Sequence, residues 1–170
     1  MNSLPFNQEA FRKAMGALLA GRKAEHPDTL RAVESWMSSG KEGLILMGNV
    51  GTGKTTIASA LARAWADYLT IAKVYRCDWI AEKIKEDESY VYEVSGNRGL
   101  VVLDDFGTES KVYGEERLPS IFYRRYEAGM PTVITTNLTS DQIRTKYGER
   151  IADRLRTYSK IVMNYKSLRK

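Results

Sequence analysis

The sequence predicts an α/β fold with a largely parallel central sheet, and three observations carry that prediction. Short apolar runs alternate along the chain with segments of helical period. The first run, Leu44-Ile45-Leu46-Met47, is continuously apolar, as a parallel strand buried on both faces should be. It leads into Gly48-Asn49-Val50-Gly51-Thr52-Gly53-Lys54-Thr55, a phosphate-binding loop, and then into a helix with Ile57, Leu61, Ala64 and Trp65 at helical spacing.

The other elements follow in order. Phe11, Met15, Leu18 and Leu19 make one apolar stripe, which predicts an amphipathic helix over roughly residues 7–20, ended by Gly21 and the polar stretch to Pro27. A second helix, with Asp28 as N-cap, carries Leu30, Val33, Trp36 and Met37 and stops at Ser38-Ser39-Gly40. These early helices are expected to pack on the core, with partner docking as the alternative. Beyond the phosphate loop, residues 71–75 read as a strand, and Asp78 caps a short helix with Trp79, Ile80 and Ile84. Residues 86–97 are polar and tyrosine-bearing without clear period, and are expected to be a loop or irregular insert. Gly99 precedes the strand Leu100-Val101-Val102-Leu103. A helix from about Glu115 carries Leu118, Ile121, Phe122 and Arg125 and stops at Gly129, before Pro131. Thr132-Val133-Ile134-Thr135 is the next strand, residues 140–146 and 149–157 form two short helices, and Ile161-Val162-Met163 is the fifth strand.

Bulk properties narrow the class. A chain of 170 residues fits one domain with a real core. No run approaches the ~20 apolar residues of a membrane span, and no signal-peptide pattern opens the chain. The single cysteine, Cys77, has no internal partner for a disulfide, and with one histidine, His26, it leaves too few ligands for a zinc site. A reducing, cytoplasmic setting is expected. The net charge of +5 is unevenly placed, with nine basic residues from Arg144 to Lys170 opposed by Glu149 and Asp153. That imbalance suggests contact with phosphates of a nucleotide or nucleic acid, or else a solvated face.

The phosphate loop defines the ligand class. Its glycines let consecutive N–H groups and a helix N-terminus point at an anion. Lys54 supplies a mobile charge for β- and γ-phosphates, and the Thr55 hydroxyl can ligate Mg²⁺, with Thr56 beside it at the helix start. Asp104-Asp105 ends the strand at Leu103, where open parallel sheets place ligand chemistry. Asp104 would hold Mg²⁺ and Asp105 would polarise the attacking water; the alternative for Asp105 is a turn residue before Phe106-Gly107. Asn137 ends a third strand and could hydrogen-bond both a γ-phosphate and the lytic water, or make a simple Asx-turn. Arg150 and Arg154 lie four apart and share a helix face, with Ile151 and Leu155 on the neighbouring one. Two guanidinium forks so placed suit a phosphate presented by a neighbouring subunit; surface pairing with Glu149 or Asp153 is the alternative.

Taken together, the phosphate loop, Leu103-Asp104-Asp105-Phe106-Gly107-Thr108-Glu109, Pro131-Thr132-Val133-Ile134-Thr135-Thr136-Asn137-Leu138, Gly148-Glu149-Arg150…Asp153-Arg154-Leu155 and Ser167-Leu168-Arg169 resemble the DnaC/IstB-like ATPases. That is the AAA+ branch of helicase loaders and transposition helper ATPases, and the resemblance spans about residues 43–169. It implies a P-loop NTPase core with a five-stranded, largely parallel sheet flanked by helices and no C-terminal lid domain. Residues 1–40 would be N-terminal helices that could dock a partner, and 41–170 the AAA+ ATPase domain. The resemblance also implies ATP or ADP with Mg²⁺ as ligands, Asn137 as sensor 1, Arg154 with Arg150 beside it as the trans-acting arginine finger, and Arg169 as a sensor-2-like arginine. The insert after the second strand falls where related loaders carry an extra helical element. Two departures stand out: Asp-Asp replaces the more widespread Asp-Glu pair, which favours slow hydrolysis, and only some forty residues precede the first strand, where loaders usually carry a helicase-binding domain.

The reading this favours is a DNA-replication ATPase that assembles as a ring or spiral on single-stranded DNA with a replicative helicase, with no membrane role. Lys111 and Tyr113 are candidate DNA contacts. The alternatives are a transposition helper acting with a transposase on duplex DNA, a small-molecule P-loop kinase, and a nucleotide-dependent interaction module with negligible turnover.

Overall fold

The computed structural model describes residues 4–19, 26–66 and 69–165. Strands β1 (Gly43–Gly48), β2 (Lys73–Arg76), β3 (Val101–Asp104), β4 (Thr132–Thr136) and β5 (Ser159–Met163) form one sheet in the order β2-β3-β4-β1-β5. Every neighbouring pair is parallel. Burial follows position in the sheet. β1, β3 and β4 are buried at every residue, whereas the edge strand β2 buries only Tyr75 and the edge strand β5 is exposed at alternate positions. That is why the three inner strands read as continuous apolar or threonine-rich runs and the edges do not.

Alternation along the strands creates two cores. Leu44, Leu46, Leu100, Val102 and Val133 face a layer made by α1 (Gln8–Leu18), α2 (Pro27–Ser38) and α3 (Lys54–Ala64). Ile45, Met47, Val101, Leu103 and Ile134 face the other layer, made by α4 (Cys77–Glu86), α5 (Tyr90–Gly96), α6 (Leu118–Glu127), α7 (Ser140–Tyr147) and α8 (Glu149–Leu155). Phe11, Met15, Val33, Trp36 and Met37 are buried in the first of these cores, so α1 and α2 are built into it. Arg12 and Glu34 join the two helices by an ion pair at 2.7 Å, and Trp36 Nε1 donates to the Gly43 carbonyl at 3.1 Å.

The chain leaves β1 toward the first layer through α3 and leaves the adjacent β4 toward the second through α7. The sheet therefore has its topological switch point between the C-terminal ends of β1 and β4, where open parallel sheets form their ligand crevice. The phosphate loop lies at this crevice. Among the described residues no helix is long and apolar enough to cross a membrane.

Several boundaries depart from the sequence expectation. α2 begins at Pro27 with His26 at the cap, because the fixed φ of proline suits the first helical position; Asp28 falls inside the first turn. α4 begins at Cys77, so Asp78 is likewise a first-turn residue and not the cap. β2 starts at Lys73 and runs to Arg76. α6 starts at Leu118, after a tight bridge between Val112 and Glu115. The largest departure is the insert: residues Tyr90–Gly96 form helix α5, with Val94 buried against the second core. Seven residues are too few for a helical period to show, and the helix is held by tertiary contacts.

Candidate functional site

The phosphate loop takes its shape from two glycines in particular. Gly48 has φ +148° and pairs with Met163 of β5; a Cβ there would lie 2.2 Å from the Met163 carbonyl oxygen. Gly53 caps α3 in the left-handed conformation, φ 93° and ψ 11°, which turns the chain so that the N-terminus of α3 opens directly from the loop. Lys54 is buried, and its ammonium donates to the Gly48 and Asn49 carbonyls at 2.8 and 2.7 Å. Thr52 Oγ1 closes the loop onto the Asn49 carbonyl at 2.9 Å, while Asn49 and Val50 are exposed at its tip and Gly51 and Thr56 are half-buried. This is a cationic, donor-lined cradle, the chemistry that a polyphosphate requires.

Asp104 is buried at the end of β3, next to the loop. Thr55 Oγ1 lies 2.9 and 3.1 Å from its two carboxylate oxygens, and Thr135 Oγ1 donates to Oδ1 at 2.6 Å. The Thr135 hydroxyl also accepts from the Asp105 backbone N–H at 2.8 Å. One threonine on β4 thus fixes the carboxylate of one aspartate and the backbone of the next. A buried carboxylate beside a threonine hydroxyl is an all-oxygen donor set, which fits Mg²⁺. In the sequence Thr135 reads as an ordinary β-branched strand residue, with no local signal of this role. Only the parallel register of β3 with β4 brings it opposite the aspartate pair.

Asp105 is half-buried with φ +56°, a conformation few non-glycine residues adopt. Burial, and then the neighbouring Asp104, push its carboxyl above the usual aspartate range, with Lys54 and Arg76 opposing them. The segment beyond it is anchored by Glu109, which is buried. Its carboxylate accepts from the Gly107 N–H at 2.9 Å and from the Tyr147 hydroxyl, and lies 3.7 Å from Lys146 Nζ. Asn137 is exposed just beyond β4, at the same edge of the sheet as the loop and Asp104.

Along the loop, an apolar cleft opens between α1, α2 and α3. Met15, Leu19, Leu30 and Ile57 line it together with Thr52 and Thr56. It lies directly beside the phosphate cradle.

Arg150 and Arg154 are not brought to this site. Both lie on α8, in the layer on the opposite face of the sheet from α3, and both stack over the ring of Tyr123 on α6, at 4.4 and 4.7 Å from its centroid. Arg154 also lies 3.5 Å from Glu127. Arg169 lies outside the described residues. The basic excess of the last quarter is partly offset in three dimensions: Arg144 pairs with Asp141 and Glu149, Arg156 with Glu149 and Asp153, and Lys146 with Glu109 and Glu116. Tyr113 is exposed with φ 51°, its hydroxyl 3.2 Å from the Lys85 carbonyl, and Lys111 is exposed beside it.

The fold is shared with solved structures. The DnaC helicase loader matches with a TM-score of 0.72 at 21% identity, over 90% of this chain and 99% of that one. DnaI matches with a TM-score of 0.71 at 21% identity, over 99% and 96%. The replication initiator DnaA bound to AMPPCP and single-stranded DNA matches with a TM-score of 0.66 at 16% identity, over 84% and 47%. At these identities the likeness is one of fold. None of the curated proteins matches the sequence. The profile of the ATPase family associated with various cellular activities (AAA) matches residues 44–156, which contain the phosphate loop, the aspartate pair, Asn137 and both arginines. The chain belongs to this AAA family of ATPases.

Proposed function

We propose that this protein is a DNA-replication ATPase of the helicase-loader type, binding and hydrolysing ATP at sites shared between subunits. The observation that carries the proposal is the division of the site. Lys54, Thr55 and Asp104 gather at the crevice, whereas Arg150 and Arg154 lie in the layer on the other face of the sheet, an arrangement that supports their use by a neighbouring copy. Each subunit then offers a phosphate cradle on one side and a guanidinium pair on the other, and head-to-tail contact builds a ring or spiral. The likeness of fold to DnaC and DnaI, across nearly the whole chain, supports the loader reading over a kinase.

In this reading the loop N–H groups and Lys54 bind the β- and γ-phosphates. Thr55 and Asp104 would hold Mg²⁺, which supplies positive charge to the phosphate oxygens when bound. Asp105 takes or orients the proton of the attacking water, and Asn137 hydrogen-bonds the γ-phosphate and that water. Arg154 and Arg150 of the next subunit neutralise the charge that develops in the transition state. The Arg169 guanidinium adds a further contact to the nucleotide. ATP-driven assembly holds single-stranded DNA through its phosphates and engages a replicative helicase, and the reducing cytoplasm is its setting.

The test is an ATPase assay across protein concentrations, with single-stranded DNA, duplex DNA or neither, paired with capture of a replicative helicase. Specific activity that rises with protein concentration, is stimulated by single-stranded DNA, and accompanies helicase capture is the expected result. Activity per subunit that stays flat with concentration would overturn the shared site. Stimulation by duplex DNA together with capture of a transposase would replace the loader with a transposition helper.

A further inference from the structure

We infer that Tyr123 on α6 is the positioning residue for the arginine pair, setting the geometry in which Arg150 and Arg154 are delivered to the neighbouring subunit's phosphates. The inference rests on the shared-site reading above and concerns a residue outside every sequence motif that defines the site.

Two like charges four residues apart on one short helix repel each other, and each arginine side chain has many rotamers to lose on ordering. Tyr123 offsets both costs. Its ring lies under the two guanidinium groups at once, at 4.4 Å for Arg150 and 4.7 Å for Arg154, well inside the range of a cation–π contact. Its hydroxyl accepts from Arg150 Nη2 and lies 3.5 Å from Arg154 Nη2. One side chain therefore holds both groups by face and by edge.

The two arginines are not held equally. Arg154 is further enclosed by the Tyr126 ring at 5.7 Å, by Glu127 at 3.5 Å, and by its own donation to the Arg150 carbonyl at 3.2 Å. Arg150 is exposed, and among the described residues Tyr123 is the one side chain that holds it. Ile151, Ala152 and Leu155 bury the other face of α8, so the helix itself does not depend on Tyr123 for its place. A tyrosine here orders the arginines before a neighbour arrives and reduces the entropy lost when the intersubunit site closes.

The experiment mixes two variants that are each inactive alone. One carries Lys54→Ala and keeps its arginines. The other carries Arg150→Ala and Arg154→Ala and keeps its phosphate loop. Restored hydrolysis on mixing reports guanidinium groups supplied in trans. Tyr123→Leu is then introduced into one partner at a time, with binding of a fluorescent ATP analogue measured on the loop-intact protein. In the arginine donor, the substitution should lower the restored rate by roughly tenfold or more, as misplacement of catalytic groups does. In the acceptor, whose own arginines are gone, the restored rate should match that of the plain pair. Tyr123→Phe in the donor keeps the ring and should retain most of the rate.

Equal loss in both positions would mark Tyr123 as a folding residue, and no loss in either would show that the arginines need no clamp; each overturns the inference. If the plain pair restores nothing, the shared-site reading fails first and the inference falls with it. The Tyr123 arms decide only when the plain pair succeeds, so the two failures are distinguishable.

Discussion

Asp105 pits stability against chemistry within one side chain. Its carboxyl sits above the usual aspartate range because burial and then Asp104 disfavour its charged form, and its backbone stands at φ +56°. The sign is that of an acid whose folded pKa exceeds its unfolded one. The folded chain holds the proton more tightly, so ionised Asp105 costs stability above the ordinary carboxylate pKa of about 4, and that cost disappears as pH falls. Asparagine removes the charge and tolerates the left-handed conformation better than most residues. Asp105→Asn should therefore unfold at the wild-type temperature or about 1–3 °C above it. Its turnover should fall on the order of 10²-fold or more, with ATP binding retained. The wild-type pH–rate profile should show an acid limb above the ordinary carboxylate range, and the variant should lack it. Thermal melts and single-turnover assays across pH check both halves; a destabilised variant with normal turnover would show Asp105 to be a turn residue only. The sequence places this aspartate and its like-charge neighbour by their motif, but the burial and the backbone conformation that tune it come from the fold, in which Thr135 of β4 holds the Asp105 N–H.

Arg125 works at the scale of elements. It is fully buried on α6 with no carboxylate partner among the described residues, and its five donors go instead to acceptors on three other segments. Nε donates to Thr132 Oγ1 at 3.0 Å, Nη1 to the Asn97 carbonyl at 2.5 Å, and Nη2 to the Gly99 and Pro131 carbonyls at 3.0 and 2.8 Å. Burial lowers its pKa to about 10, so it remains a cation at neutral pH. These bonds tie the C-terminal end of α5 to the entries of β3 and β4, which end at Asp104 and Thr136. Arg125→Met leaves several buried carbonyls without their donor and should cost about 3–5 kcal/mol by urea denaturation. Arg125→Lys should recover only part of that, because a compact ammonium cannot span the same acceptors. A loss below about 1 kcal/mol would show that water replaces the guanidinium. Arg125 also explains what the sequence left unread. Its position on the apolar stripe with Ile121 and Phe122 marks it as inward-facing, yet nothing local shows that α5 is what it holds. The inner strands and the phosphate loop are legible because their signals are local. α5, Thr135 and Tyr123 are not, because their order or their role is conferred by residues distant in sequence.

For the molecule as a whole, the question is whether the first two helices are an appendage or part of the ATPase fold. Phe11, Met15, Val33, Trp36 and Met37 are buried against Leu44, Leu46, Leu61 and Met163, in the same core that supports α3 and the phosphate loop. Burying each such large apolar side chain contributes about 1.5–3 kcal/mol, so together the five approach the 5–15 kcal/mol by which whole domains are stable. Met15, Leu19 and Leu30 also wall the cleft beside Thr52 and Thr56, which joins the same helices to the phosphate loop. A chain beginning at Lys41 should therefore lose its cooperative unfolding transition and bind exposed-surface dyes, well beyond any defect in capturing a partner. Trp36→Phe keeps most of the packing and removes only the bond from the indole N–H to the Gly43 carbonyl. It should cost about 1 kcal/mol and leave ATP binding intact. If the shortened chain melted cooperatively and bound ATP with wild-type affinity, the helices would be a detachable arm, free to serve a partner alone. The predicted collapse instead means that a partner seated on α1 and α2 would contact the helices that wall the cleft beside the phosphate loop. If such a partner tightens ATP binding, ATP must tighten the partner's binding by the same factor, and titrating each with the other present measures that coupling.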